Sequence, residues 1–190
     1  QICLKCSKTL KIHKETIHLE FVEKVFVLYQ YDENMKNIVH LSKYESEFYV
    51  IFRLLKLRIK VIKEIKKELG RNLYSIPIPY HRLRWLNREY NLSEKISDYL
   101  KYFHVKEIKI LRKARNDKEQ KDLSKEERLR NLSGSFKITQ NIIKNLKCPN
   151  FLLVDDVMTT GSTLNECGKC IKESFPKSKI FALVIASNNV

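Results

Sequence analysis

Two hydrophobic patterns divide the chain. Residues 151–154 and 180–186 are uninterrupted apolar runs, the pattern of interior parallel strands buried on both faces. Residues 47–69 instead repeat apolar side chains at helical spacing, through Val50, Ile51, Leu54, Leu55, Ile62, Ile65 and Leu69, and predict one amphipathic helix. Its polar face carries Arg53, Lys56, Arg58, Lys60, Lys63, Lys66 and Lys67, and Gly70 marks its end. Residues 21–31, rich in β-branched and aromatic side chains, read as a strand, and residues 35–43 as a short helix. Residues 73–78 predict a strand that ends in Pro77-Ile78-Pro79. Asn91-Leu92-Ser93-Glu94 is a helix start, followed by a stripe of Leu92, Ile96, Tyr99, Leu100 and Phe103. Residues 107–111 suggest another strand, residues 112–135 a charged mobile segment or exposed hairpin, and residues 138–146 and 164–175 two further helices. Strands alternating with helices predict an α/β fold with a mostly parallel sheet flanked by helices.

The segment with the most chemical content joins the first apolar run to the last helix: Val154-Asp155-Asp156-Val157-Met158-Thr159-Thr160-Gly161-Ser162-Thr163. Two carboxylates stand where the strand is expected to end, and a hydroxyl-rich turn leads into a helix. Ligands of open parallel sheets sit beyond the carboxyl ends of strands. Backbone N–H groups at a helix start cradle phosphate, and neighbouring carboxylates take sugar hydroxyls. The same residues make a strand, an acidic turn and a helix cap without any ligand. Against that plainer reading, one of only four glycines falls in this turn, and two adjacent Asp side chains repel each other unless a donor or cation stands between them. The segment resembles the phosphoribosyl pyrophosphate (PRPP) signature of type I phosphoribosyltransferases.

Composition narrows the picture. At 190 residues the chain suits one domain with a small appendage, and 43% hydrophobic residues fit a soluble globular protein. Neither apolar run approaches the length of a membrane span. Residues 1–5 lack the extended apolar region of a signal peptide, so the cytoplasm is the expected compartment. The net charge of +15 exceeds what folding requires and points to an anionic partner, although a Lys-rich solvated surface accounts for part of it. The odd count of five cysteines argues against a disulfide framework.

Residues 1–20 stand apart from residues 21–190. Cys3 and Cys6, with His13 and His18, offer a Cys₂His₂ set for a structural Zn²⁺, with Cys148 as a possible substitute ligand. Cys167 and Cys170 form a second pair, but helical spacing puts Cys167 with Leu164, Ile171 and Phe175, the position of a small core residue.

Three segments together resemble the ComF family of competence-associated, type I phosphoribosyltransferase-like proteins. They are residues 76–91, with a proline-rich strand end, His81, spaced arginines and Asn91; residues 112–136, with Gln120, Leu123, Arg128, Asn131 and Phe136; and the PRPP-like signature. The chain departs from the family pattern in Arg88-Glu89-Tyr90-Asn91, where a glycine usually follows the arginine, and in having one Cys-x-x-Cys pair near its start rather than two.

The resemblance implies a type I phosphoribosyltransferase fold carrying a small amino-terminal zinc-binding appendage. It implies that Asp155 and Asp156 face the ribose hydroxyls directly or through Mg²⁺, as the catalytic pair if there is turnover. Val157, Met158, Thr159, Thr160, Gly161, Ser162 and Thr163 would enclose the 5-phosphate, while His81, Arg82 and Arg88 would face pyrophosphate. It further implies a role in natural transformation, handling single-stranded DNA alongside other competence or DNA-translocation proteins. The basic helix would then follow the phosphate backbone and exposed aromatic rings would stack bases. The alternative is a nucleobase-salvage phosphoribosyltransferase that releases pyrophosphate from PRPP. No acceptor-base site is recognisable in the sequence, which leaves turnover open.

Overall fold

The computed structural model describes residues 9–13, 15–44, 47–79, 90–113, 134–139, 146 and 149–188. Five parallel strands form the central sheet: β1 (Lys24–Gln30), β2 (Leu73–Pro77), β3 (Lys106–Glu107), β6 (Asn150–Met158) and β7 (Ile180–Ser187), in the order β1-β7-β6-β2-β3. A separate antiparallel pair joins β4 (Leu111–Lys113) to β5 (Phe136–Ile138). The helices are α1 (Glu33–Tyr44), α2 (Tyr49–Leu57), α3 (Ile59–Leu69), α4 (Leu92–Leu100) and α5 (Ser162–Ser174), with a short 3₁₀ turn over Lys101–Phe103.

The two apolar runs form the centre of the sheet, as their patterning predicts. Every residue of β7 is buried, with β1 on one side and β6 on the other. Alternation along the strands sends side chains into two cores. Phe181, Leu183 and Ile185 join Leu152 and Val154 against the buried stripes of the first four helices. Ile180, Ala182 and Val184 join Phe151 and Leu153 against Leu164, Cys167 and Ile171 of α5 and against Leu111 and Phe136 of the small pair.

Four boundaries differ from the sequence expectation. The stretch 47–69 is two helices. At Arg58 the backbone leaves helical geometry, and its N–H is shared between Leu54 O at 3.3 Å and Leu55 O at 3.0 Å, a tightened last turn. Arg58 consequently departs from the solvated face: its side chain is half-buried, and among the described residues its Nε has no hydrogen-bond partner. The stretch 107–111 is divided between β3, which pairs with β2, and β4, which pairs with β5. Ile138, expected in a helix, is a strand residue opposite Leu111. The antiparallel pairing of β4 with β5 joins the two ends of the charged 112–135 stretch; Gln120, Leu123, Arg128 and Asn131 lie outside the described residues. Finally, β6 continues through both carboxylates to Met158. Its ladder with β7 runs on to Met158 opposite Ser187, whereas β2 leaves the sheet at Pro77, opposite Val154. Among the described residues, Asp155 and Asp156 therefore have a neighbouring strand on one side only.

Residues 9–13 and 15–22 run back along the outer edge of β1. Ile12 bridges Tyr29 and Ile17 bridges Val25, both antiparallel; Lys11 O accepts from Gln30 N at 2.9 Å and Ile17 O from Val25 N at 2.8 Å. Helix α5 closes over the end of this segment. A Cβ at Gly168 would lie 2.6 Å from Phe21 O, so a larger residue would push the helix off, and Asn165 Oδ1 accepts from Phe21 N at 2.9 Å.

Candidate functional site at the carboxyl end of the sheet

The site forms where β6 outruns β2. Asp155 Oδ1 accepts hydrogen bonds from Ser93 Oγ at 3.2 Å and from the Asp156 amide at 2.9 Å. Asp156 Oδ1 accepts from Val157 N at 2.6 Å, and its Oδ2 lies 2.5 Å from Lys43 Nζ. The two carboxylates thus point to different elements, Asp155 to the start of α4 and Asp156 to the end of α1. Burial, reinforced by the neighbouring Asp156 carboxylate, pushes the Asp155 carboxyl up to about 7; the Asp156 amide, Lys43 and Ser93 pull the other way.

Asn91 fixes the α4 side. Its Oδ1 accepts from Ser93 N at 3.0 Å, capping the helix, and its Nδ2 donates to Ile78 O at 2.9 Å, just past the end of β2. One buried side chain therefore ties the strand end to the helix that carries Ser93. Tyr90 beside it donates from its hydroxyl to Ser42 O, next to Lys43.

The turn after Met158 exposes Thr159 and Thr160 and buries Gly161. Gly161 has φ +77°, and a Cβ there would lie 3.0 Å from Leu19 Cδ2 and 3.4 Å from Met158 Sδ. Glycine meets both demands. Ser162 and Thr163 open α5, whose first N–H groups lack intrahelical acceptors by geometry. Thr160 Oγ1 and Ser162 Oγ are 2.9 Å apart. Two carboxylates at one end of this turn and hydroxyl and N–H donors at the other can hold vicinal hydroxyls and an anion together.

The structure brings together Asp155, Asp156, Val157, Met158, Thr159, Thr160, Gly161, Ser162 and Thr163 in this continuous unit. Lys43 and Ser93, which complete it, were not expected. Ser93 left one signal, its place two residues after a capping Asn; Lys43 left none, because its ion pair spans more than a hundred residues of sequence. His81, Arg82 and Arg88 lie outside the described residues, as do Cys3, Cys6 and Cys148.

His13 and His18 belong to the segment along β1. Their Nδ1 atoms face backbone carbonyls, His13 to Glu15 O at 3.1 Å and His18 to Glu23 O at 2.5 Å. Among the described residues no cluster of three or more metal-ligating side chains forms. Cys167 is buried among Leu164 and Ile171, as its spacing predicts, and burial holds its thiol well above the usual range. The Cys170 thiol, pushed up to about 11 mainly by burial, donates to Phe136 O at 3.5 Å. Among the described residues no helix is long and apolar enough to cross a membrane.

No protein-family profile matches the chain. The chain is similar to Competence protein F of Haemophilus influenzae, with 27% identity over 156 residues, covering 80% of this chain and 67% of that protein. That similarity extends well beyond the β6 signature and agrees with the likeness to the ComF family read from three separated segments.

Proposed function

We propose that this protein binds PRPP on a type I phosphoribosyltransferase fold and handles single-stranded DNA during natural transformation, in the cytoplasm. The observation that carries the PRPP half is the end of β6: paired carboxylates followed without a break by a hydroxyl-rich turn and the start of α5. Asp155 and Asp156 take the ribose hydroxyls; the turn from Met158 to Thr163 takes the 5-phosphate, with Gly161 letting the backbone approach. His81, Arg82 and Arg88, which follow β2 in sequence, are assigned to pyrophosphate. The DNA half rests on the similarity to Competence protein F and on the net charge of +15.

The carboxylate pair fits Mg²⁺, which takes oxygen ligands and is held by one or two carboxylates together with substrate phosphates. Asp155 and Asp156 would hold it, and it would supply positive charge against the departing pyrophosphate. For the protein's own part, Ser93 and Lys43 hold the two carboxylates apart and in place. The 1–20 module is assigned a structural Zn²⁺ through Cys3, Cys6, His13 and His18.

The test is the isosteric pair Asp155→Asn and Asp156→Asn, with PRPP affinity measured by calorimetry in the presence of Mg²⁺. Losing two contacts to charged groups is expected to weaken PRPP about hundredfold while DNA affinity holds within about twofold. Wild-type affinity for PRPP in the double variant would overturn the assignment. Pyrophosphate release with one preferred nucleobase in a base panel would move the reading to salvage.

A further inference from the structure

Seven aromatic rings on α2, α4 and the residues flanking them form one connected set, with Phe103 packed on Tyr99 at 5.7 Å between centroids. Tyr49 packs against Phe52 at 6.0 Å between centroids, Phe52 against Tyr99 at 5.1 Å, and Tyr99 against Tyr102 at 6.0 Å. Phe48 stacks on Tyr49 at 4.2 Å and meets Tyr90 edge-on at 5.3 Å. The inner rings are anchored: Phe48, Phe52, Tyr90 and Tyr99 pack on the buried core. The two outer rings are open, Tyr49 at 67% and Tyr102 at 80% exposure. A single exposed tyrosine is unremarkable. Two of them, each held by an anchored ring and joined through the same pair, make a rigid platform with free faces.

The charge around this platform is mostly positive. Arg53 and Lys56 follow Tyr49 and Phe52 by four residues on α2, which puts each cation beside a ring, and both are exposed. Lys95 Nζ lies 4.7 Å from the centre of the Phe48 ring. Of the nearby acids, Asp98 is occupied by Lys101 at 2.5 Å, and Glu47 stands exposed before Phe48. Rings that accept bases, beside cations that accept phosphates, are the means by which proteins hold single strands without reading sequence. A duplex hides its base faces and does not suit such a platform.

We infer that the face running from Tyr49 through Phe52 and Tyr99 to Tyr102 is the surface on which this protein stacks the bases of single-stranded DNA, with Arg53 and Lys56 on its phosphates. The inference rests on the DNA-handling reading above and names its site. It also puts that site on the α2–α4 face, apart from the turn after β6.

The experiment is fluorescence anisotropy with a labelled oligothymidylate at low salt and with a strand of the same length built of abasic sugars. Replacing both outer rings, Tyr49→Ala with Tyr102→Ala, is expected to weaken oligothymidylate at least about tenfold per ring. Tyr49→Phe with Tyr102→Phe should bind like the wild type, since stacking does not need the hydroxyl. The wild type should prefer the strand that has bases. Arg53→Ala with Lys56→Ala should instead flatten the salt dependence. Both tyrosines are exposed, so the alanine pair should keep the wild-type unfolding midpoint; if it does not, the single variants carry the test. If the wild type binds but the alanine variants bind equally well, or if the abasic strand binds equally well, the stacking face is overturned while the DNA-handling reading stands, and the platform passes to a protein partner. If the wild type fails to bind single strands at low salt, both fall.

Discussion

The turn after β6 and the aromatic face on α2 and α4 are built in opposite ways. The first is a single run of sequence in which each residue's neighbour in the chain is its neighbour in space. Its backbone does much of the work, through the φ of Gly161 and the opening N–H groups of α5. The second is assembled from residues some fifty positions apart in sequence, Tyr49 and Phe52 from α2 and Tyr99 and Tyr102 from α4 and the turn after it, and it is made of side chains alone. A contiguous unit of this kind tolerates change around it and little change within it. An assembled face depends on how its helices are packed. The two meet at Tyr90 and Asn91: one ring touches Phe48 of the face, and the next side chain caps the helix that carries Ser93 to Asp155.

The sharpest way to separate the two regions is Lys43→Ala. It leaves the buried Asp156 without its ammonium partner, and loss of one member of a buried ion pair costs about 3 kcal/mol. Urea unfolding should show that loss, with oligothymidylate affinity unchanged below the transition. A fall in DNA affinity as large as the fall in stability would mean that the regions are one cooperative unit.

Asp155→Asn is expected to act in the other direction and only above a certain pH. The folded protein raises this carboxyl from 3.8 to about 7, chiefly by burial and then by Asp156. The folded state thus binds more protons than the unfolded state across that window. The stability associated with Asp155 is fully present below about pH 4, is lost as pH rises towards about 7, and stays lost above it. Asparagine keeps the bond from Ser93 and removes the charge. At pH 8 it should stabilise the protein by about 1–2 kcal/mol, and at pH 4 it should change little. Thermal unfolding at the two pH values checks this, and equal shifts at both would break the assignment of the charge to Asp155.

The smallest effect belongs to the aromatic face. Phe52→Leu keeps the burial of an apolar side chain and removes the ring between Tyr49 and Tyr99. It should cost about 1 kcal/mol of stability and loosen DNA, with PRPP affinity unaltered. A change in PRPP affinity would show that the face sets the geometry of the turn.

Legibility in the sequence follows the same division. The buried runs of β6 and β7, the Asn91 cap and the glycine turn could be read because each is a local pattern imposed by burial or by backbone geometry. The break at Arg58 could not, because no glycine or proline marks it and the apolar spacing continues across it. Nor could the length of β6. Asp155 and Asp156 read as the point where the strand ends, and the continuing ladder with β7 holds residues 155–158 extended. Lys43 was hidden for a related reason: a lysine in the last turn of a helix normally serves the helix dipole, and nothing in its surroundings foretells a carboxylate across the fold.

The segment that runs back along β1 has a further consequence, for solubility. Parallel sheets of this type end in strands whose outer N–H and C=O groups can template another chain. Here Lys11 and Ile17 occupy acceptor positions against Gln30 and Val25, so that the sheet is closed by the residues that precede it. A chain cut to begin at Phe21 would keep all five strands and expose a long, apolar border. Its failure would be seen as self-association in concentrated solution.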